Sequence, residues 1–532
     1  MQDHPENHND ISCKPRLMER QPPRTFFTLL ISLAVVTVAV FLRLPSCYES
    51  LWLDELHSAW IIADDIGSVH QRSIIGHQSP CYYFQLWFWK QAFGDSEVML
   101  RLNSVLLVAG GCGVIAYGIT NWTKSLLAGL ASGLTLAIEN NSLFFGTELR
   151  PFALVILCSS ISTVLFLQLL PSESRRQHPV RWCLLICTIL FAAICQPTSL
   201  GVLAWLPLCL CGSWLIRNPK QFRQVTWLDI GLVTITLLST LLLWQMTLQQ
   251  SWAEKSMWSS FATATNWHQI WNIWNWSYLL LIPSIPLLLI LFIDACRRSE
   301  VKYKPILLGL GLIAVISIMA TTMYWCLSSF EVVPVWHRRY FIAVLPPLAC
   351  FGGGCLGYLQ LRLTSPSKAR PISVALATSL IVCLGLHQGT FEKLSHYPVA
   401  LVNRGEDWRK AIEWLEHKSK PDSLILLDSG LIEGKHWISP KLFDSDNKAK
   451  LEYLCFPLRG PYKLKREVMP VARTLQPAIP LPDTDRPTYI LTRDAPTITR
   501  QRLPNREVLG FGRISLIIPD QPTPVSANAS SN

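Results

Sequence analysis

Apolar stretches long enough to cross a bilayer recur along this chain from Phe26 to Leu386, and nothing else constrains its fold as much. A helix needs about 20 apolar residues to span the hydrocarbon core, and within lipid its backbone amides must be satisfied internally. Eleven such stretches are read, at 26–44, 98–119, 126–144, 151–170, 182–197, 199–216, 227–247, 278–295, 305–327, 340–360 and 372–389. Half of the 532 residues are hydrophobic and only 16% are charged, which excludes a disordered chain and argues against a wholly soluble one. The break Gln196-Pro197-Thr198-Ser199 is the weakest divider. If 182–197 and 199–216 formed one bent helix, the orientation of everything after them would invert.

Loop charge tests the count. With residues 1–25 as a cytoplasmic tail, Lys14, Arg16, Arg20, Lys124, Arg175, Arg176, Arg181, Lys220, Arg223, Arg297, Arg298, Arg362 and Lys368 fall on the inner side. The short loops opposite are poorer in Lys and Arg, so the positive-inside rule favours eleven spans, N-terminus in and C-terminus out. The net charge of +11 therefore belongs to topology and anionic lipid, not to nucleic acid. Most of the sixteen cysteines, among them Cys183, Cys187, Cys209, Cys211, Cys350 and Cys355, lie in apolar spans as small hydrophobes. Cys47 and Cys81 share the first outer loop, where a disulfide is left open.

Beyond 390 the composition turns polar. Trp408, Ile412 and Leu415 share one face of an amphipathic helix, and 424–427, 489–491 and 514–518 read as buried strands. The expected architecture is an all-α polytopic membrane domain over 26–390, then a small extracytoplasmic α/β domain over 391–520. The tail at 521–532, rich in Pro, Ser, Ala and Asn, is expected to be unstructured.

The outer loops hold the chemistry. Loop 45–97 contains Leu53-Asp54-Glu55-Leu56-His57, an acidic pair among apolar neighbours, where partial desolvation favours proton transfer. A helix cap or a solvated charge is the plainer reading. The same loop carries His77, Pro80, Tyr82 and Tyr83, then Trp87 and Trp89, which also suit an interfacial helix. Arg101, near the start of an apolar span, needs a partner or a cavity. Glu148-Leu149-Arg150-Pro151 forms a helix entry or an active-site wall. Trp336-His337-Arg338-Arg339-Tyr340 breaks the charge rule by placing two arginines outside at a helix start, which makes either an anion site or an interfacial anchor. The tryptophans from Trp244 to Trp276 are read as interface packing, with a lipid-chain groove as the alternative.

Taken in order, Leu53-Asp54-Glu55, His77…Pro80…Tyr82-Tyr83, Gly94…Glu97…Arg101, Glu148-x-Arg150-Pro151 and Arg339-Tyr340 resemble the GT-C polytopic glycosyltransferases. The resemblance is to bacterial relatives of protein O-mannosyltransferase and aminoarabinose transferase, over roughly residues 26–360. Glu406-Asp407-Trp408-Arg409 is the best-matching piece of the tail. Ser79 and Phe152 depart from the Pro and Tyr often found there.

The resemblance implies a polyprenyl-phosphate sugar donor, a glycan, lipid or protein acceptor reached from the outer face, and a bacterial inner membrane. It makes Asp54 the general base, and Glu55 an acceptor-orienting group or part of a divalent-cation site with Asp54 and Glu148. Arg339, with Arg338 and Tyr340, would bind the donor phosphate. His77, Tyr82, Tyr83, Arg101, Glu148 and Arg150 would line the cavity. An O-antigen ligase or polymerase carries its large functional loop late in the chain, and a transporter or flippase keeps ionisable groups at mid-membrane. Here the ionisable groups gather at the outer mouth.

Overall fold

The computed structural model describes residues 24–171, 178–217, 261–297, 303–363, 366–438, 445–471 and 486–519, with scattered residues between 231 and 258 and residue 442. The expected N-terminal tail (but for its last residues), most of the expected 227–247 span and the tail at 521–532 lie outside the described residues.

Among the described residues, seven helices are long and apolar enough to span a membrane. Three shorter apolar helices, Leu126–Ile138, Pro179–Cys195 and Pro371–His387, accompany them. The chain is a mostly helical membrane protein with one small sheet. The first helix, α1 (Arg24–Arg43), shows Phe26, Leu29, Leu30 and Leu33 on its outer side, as a lipid-facing helix must. It packs on α5 (Glu97–Thr123) and α6 (Leu126–Ile138), and α5 packs in turn on α8 (Phe152–Leu169).

The Arg338–Arg362 span is enclosed by other helices along its whole apolar window. Its close approach to α6 and to the end of α5 depends on glycine. A Cβ at Gly353 would land on Ser132 Oγ and the Ala128 carbonyl, and one at Gly357 would land on Thr123. Such a small-xxx-small stripe lets helices pack backbone to backbone where lipid supplies no hydrophobic drive.

The stretch at 179–217 forms two helices that run in opposite directions. Arg217 Nη2 reaches back to the Leu170 carbonyl at 2.7 Å, so the Trp205–Arg217 helix ends on the face where α8 ends. The far end of α9 (Pro179–Cys195) meets the first loop, where Ser79 Oγ donates to the Ile194 carbonyl. The expected 126–144 span is shorter than read. It stops at Ile138 because Glu139 takes an extended ψ and accepts from Ser142 N at 2.7 Å, capping the separate α7 (Asn140–Phe145).

Loop 45–97 is itself helical. It folds as α2 (Leu53–Ile61), α3 (Ile66–Ile75) and α4 (Pro80–Phe93), with Pro80 opening the last of these. Cys47 and Cys81 are free thiols, and Cys47 donates to the Arg43 carbonyl.

Among the described residues, the C-terminal unit has five strands, β1 (Leu424–Asp428), β2 (Glu467–Pro470), β3 (Thr488–Thr492), β4 (Val508–Phe511) and β5 (Ile514–Ile517), in the order β2-β1-β3-β5-β4. β1 runs parallel to β2 and to β3, with Leu424 opposite Glu467 and Thr488. β4 and β5 form a hairpin antiparallel to β3. Every residue of β1 is buried, as a central strand covered on both faces requires. The Trp408–Lys418 helix covers one side with Trp408, Ala411, Ile412 and Leu415. Two edge strands, β2 and β4, were not foreseen; each is four residues long and only partly buried.

The glycine seam gives a direct test. Gly353→Val should destabilise the protein by about 1–3 kcal/mol through overpacking. A thermal-unfolding midpoint in detergent that does not fall would show that the seam tolerates bulk.

Candidate active site

The acidic pair divides its labour because neighbouring residues on a helix point about 100° apart. Glu55 turns inward. Arg101 Nε meets its Oε1 at 2.9 Å and Arg101 Nη2 its other oxygen, with both side chains fully buried. Leu149 N and Trp52 N also donate to this carboxylate, at 3.1 and 3.3 Å. Burial alone would push the Glu55 carboxyl up, but Arg101 and then Arg404 hold it below the ordinary value. Arg101 goes on to hold the carbonyls of Ser46 and Ser50 at 3.0 Å and that of Glu49. Arg101 therefore finds the partner its position demands, and the pair staples the first loop to α5.

Asp54 turns outward and keeps 26% of its side chain exposed. Arg339 Nη1 lies 3.0 Å from its Oδ2. Burial opposes the Asp54 charge, but Arg150, Arg339, Arg493 and His57 overcome it and bring the carboxyl down to about 2. Arg339 is stacked 4.7 Å from the Phe261 ring and 5.6 Å from that of Tyr340. Arg338, its neighbour, is exposed and makes no hydrogen bond to Asp54. The guanidinium in contact with Asp54 is thus that of Arg339.

Arg150 sits beneath Asp54. Its Nη1 lies 3.2 Å from the Tyr83 hydroxyl and 3.3 Å from His57 Nδ1. Burial and Arg150 push the His57 pKa down to about 3, so the ring is neutral at pH 7. The ring fits only because residue 76 is glycine, since a Cβ there would land on the imidazole. Tyr82 is fully buried against Tyr83, with ring centroids 5.2 Å apart. His77 takes a left-handed backbone (φ 54°), and its ring centroid lies 6.3 Å from that of Trp258.

Glu148 is buried, and neither of its carboxylate oxygens has a hydrogen-bond partner among the described residues. Burial first, and Asp54 second, raise its pKa to about 8. It is neutral at pH 7. The expected cation trio of Asp54, Glu55 and Glu148 is not assembled. Both Glu55 oxygens are taken by Arg101 and two backbone amides, and Glu148 carries its proton. Among the described residues, no three His, Cys, Asp or Glu side chains are grouped to hold a metal ion.

The C-terminal unit adds groups that the sequence reading did not place at the site. Arg404 donates to the Phe144 carbonyl (3.0 Å) and Thr147 Oγ1 (3.1 Å), and its charge acts on Glu55 and Glu148. Arg493 pairs with Glu406 at 2.7 Å and faces the Trp52 ring. Tyr453 packs edge-on to His57 and donates to Glu433 at 2.7 Å. Only Glu406 had a signal, through its place in the tail motif.

Removing Glu55 should leave Arg101 buried without its counter-charge. Glu55→Ala is expected to lose about 3–5 kcal/mol of stability, whereas Asp54→Asn, at a partly hydrated site, should lose far less. Equal unfolding midpoints for the two variants would contradict this division. The raised pKa of Glu148 also sets a pH dependence. The folded state binds this proton more tightly than the unfolded chain, so its contribution is whole below pH 4.5 and is lost as pH rises through about 8. Glu148→Gln should match wild type near pH 4 and exceed it in midpoint by pH 8; a constant offset would refute the assignment.

No protein-family model and no curated protein matches the chain. Among solved structures, ArnT from Cupriavidus metallidurans bound to undecaprenyl phosphate superposes with a TM-score of 0.51 at 15% identity, covering 92% of this chain and 97% of that one. The apo state of the same protein gives a TM-score of 0.48 at 15% identity, covering 93% and 97%. At that identity the likeness establishes the fold alone: this chain shares the polytopic helical architecture, with a small C-terminal sheet, of ArnT.

Proposed function

We propose that this protein is a membrane glycosyltransferase that moves a sugar from a polyprenyl-phosphate donor to an acceptor hydroxyl, inverting the anomeric centre. One observation carries the reading. Asp54 and Arg339, 285 residues apart, form a 3.0 Å ion pair that remains partly open to water at the end of the membrane bundle. A base beside a cation is what this chemistry needs. The acceptor hydroxyl gives its proton to Asp54 while its oxygen bonds to the anomeric carbon. The carbon–oxygen bond to phosphate breaks, and its electron pair leaves with the polyprenyl phosphate. Arg339 neutralises the charge that accumulates there. The fold neighbour was solved with undecaprenyl phosphate, a lipid phosphate of this class.

The resting pair also explains how a carboxylate held near pKa 2 can act as a base. An incoming phosphate competes for the Arg339 guanidinium. Once that cation turns to the donor, Asp54 loses a counter-charge and its basicity rises. Arg150, fixed by Tyr83 and His57, keeps the vestibule cationic after the exchange. The loop charges supply the orientation in this reading, with the N-terminus cytoplasmic and the site and the 391–520 unit on the outer face, and the resemblance supplies the inner membrane. The acceptor is a glycan, lipid or protein presented there.

Purified protein incubated with a panel of polyprenyl-phosphate sugars tests this. Asp54→Asn should lower donor turnover by about 10²–10⁴-fold, and Arg339→Gln should raise the donor KM as well. The acid limb of kcat should lie above that of kcat/KM, because donor binding frees Asp54. Turnover unchanged in Asp54→Asn, or a product with the donor's own configuration, would defeat the mechanism.

A further inference from the structure

We propose that Glu406, supplied by the C-terminal unit, is a positioning residue for Asp54: it caps the helix that carries Asp54 and holds Arg493 beside it. The proposal rests on the reading of Asp54 as the reacting base.

The helix α2 begins without a cap of its own. Its N-cap is Trp52, whose side chain offers no acceptor, so the first amides need oxygens from elsewhere. Glu55 takes the Trp52 amide. The Leu53 amide donates to Glu406 Oε2 at 3.0 Å, across 353 residues of sequence. A carboxylate at this end of a helix also meets the positive end of the helix dipole. Asp54 is the next residue, so the cap lies one peptide from the base.

Glu406 is built to hold still. Its side chain is 2% exposed. Trp408 Nε1 donates to the same oxygen at 2.8 Å, and Arg493 Nε donates to the other at 2.7 Å. Its backbone bridges to Gly512 in the β4–β5 turn, and Gly405 and Gly512 both adopt positive φ at that crossing. A Cβ at Gly512 would land on the Gly405 carbonyl, so the approach requires glycine. The position of the cap is thereby tied to the sheet. The second partner, Arg493, is presented to the Trp52 ring and adds its field to Asp54.

The two functions of the carboxylate can be separated. Glu406→Gln keeps one acceptor oxygen for Leu53 and Trp408 but turns an amide N–H toward Arg493. Glu406→Asp keeps the charge but withdraws it by one methylene. Both are to be made in the full chain with Glu406→Ala and Arg493→Gln. Hydrogen exchange of the amides at 53–56 reads the cap without any substrate. Exchange should quicken about tenfold in the Ala and Asp variants, the effect of losing a cap, and stay at the wild-type rate in Gln. With a polyprenyl-phosphate sugar, kcat should fall about 10²-fold in Ala, as expected for a misplaced base, at unchanged donor KM. Gln should recover most of that loss, while Arg493→Gln, which removes a cation acting on Asp54, should move the acid limb of kcat upward.

Unchanged exchange in both Ala and Asp would overturn the proposal outright. Quickened exchange with wild-type kcat would overturn it too, leaving Glu406 a structural cap only. If Ala does not fold, Asp carries both readings. If wild type turns over no donor in the panel, the glycosyltransferase reading fails by itself, and the exchange rates alone decide whether Glu406 holds the Asp54 helix.

Discussion

The buried Glu55–Arg101 ion pair sets the geometry of everything at the site. Neither charge touches water, so each depends on the other and on the backbone groups around them. Arg101 gathers three carbonyls of the 46–50 turn, and Glu55 gathers the Trp52 and Leu149 amides. One pair thus joins α5, the first loop and the turn before α8. With Glu55 locked inward, helical geometry leaves Asp54 only the outward direction. Asp54 is aimed by its neighbour's burial.

The same vestibule drives two carboxyls apart. Asp54 and Glu148 both suffer burial, and their charges repel. The cations favour Asp54, which has Arg339 in contact and Arg150 and Arg493 nearby. Glu148, without a hydrogen-bonded partner, keeps its proton instead. Environments that separate two acids in this way assign one the charge and the other the proton. The neutral His57 fits the same economy, since a second cation beside Arg150 would be repelled.

The sequence made the membrane fold readable because bilayer thickness dictates span length. Asp54 and Arg339 were legible for a related reason: charges in a place that should lack them need an explanation. Glu55, expected to orient the acceptor or help hold a cation, pairs with Arg101 instead of facing the Asp54 side, because a helix separates adjacent residues. Arg338, expected beside Arg339 at the donor phosphate, stands exposed at the start of a 3₁₀ turn. Arg101 was recognised as needing a partner, but which carboxylate would answer lay 46 residues away and was not encoded locally. Arg404, Glu433, Tyr453 and Arg493 carry no local signal, because their importance comes from domain docking. Of the loop helices, α4 was legible in its aromatic run, whereas α2 and α3 carry no comparable signal.

That docking is itself electrostatic and aimed at one short stretch. Arg409 meets Glu97 through Nε at 3.1 Å and reaches the Tyr48 carbonyl, while its amide donates to Ser50 Oγ. The Tyr462 hydroxyl accepts from the Leu51 amide and donates to Glu97. Glu406 takes Leu53, and Arg404 takes the end of α7. Residues 46–53 are therefore gripped from the membrane side by Arg101 and from the other side by the C-terminal unit. A segment with backbone groups claimed from both sides can shift only if one set of bonds breaks, and breaking buried, charge-assisted bonds is expensive. The two units must then act as a single body around Asp54, because the strip of chain that aims it belongs to neither unit alone.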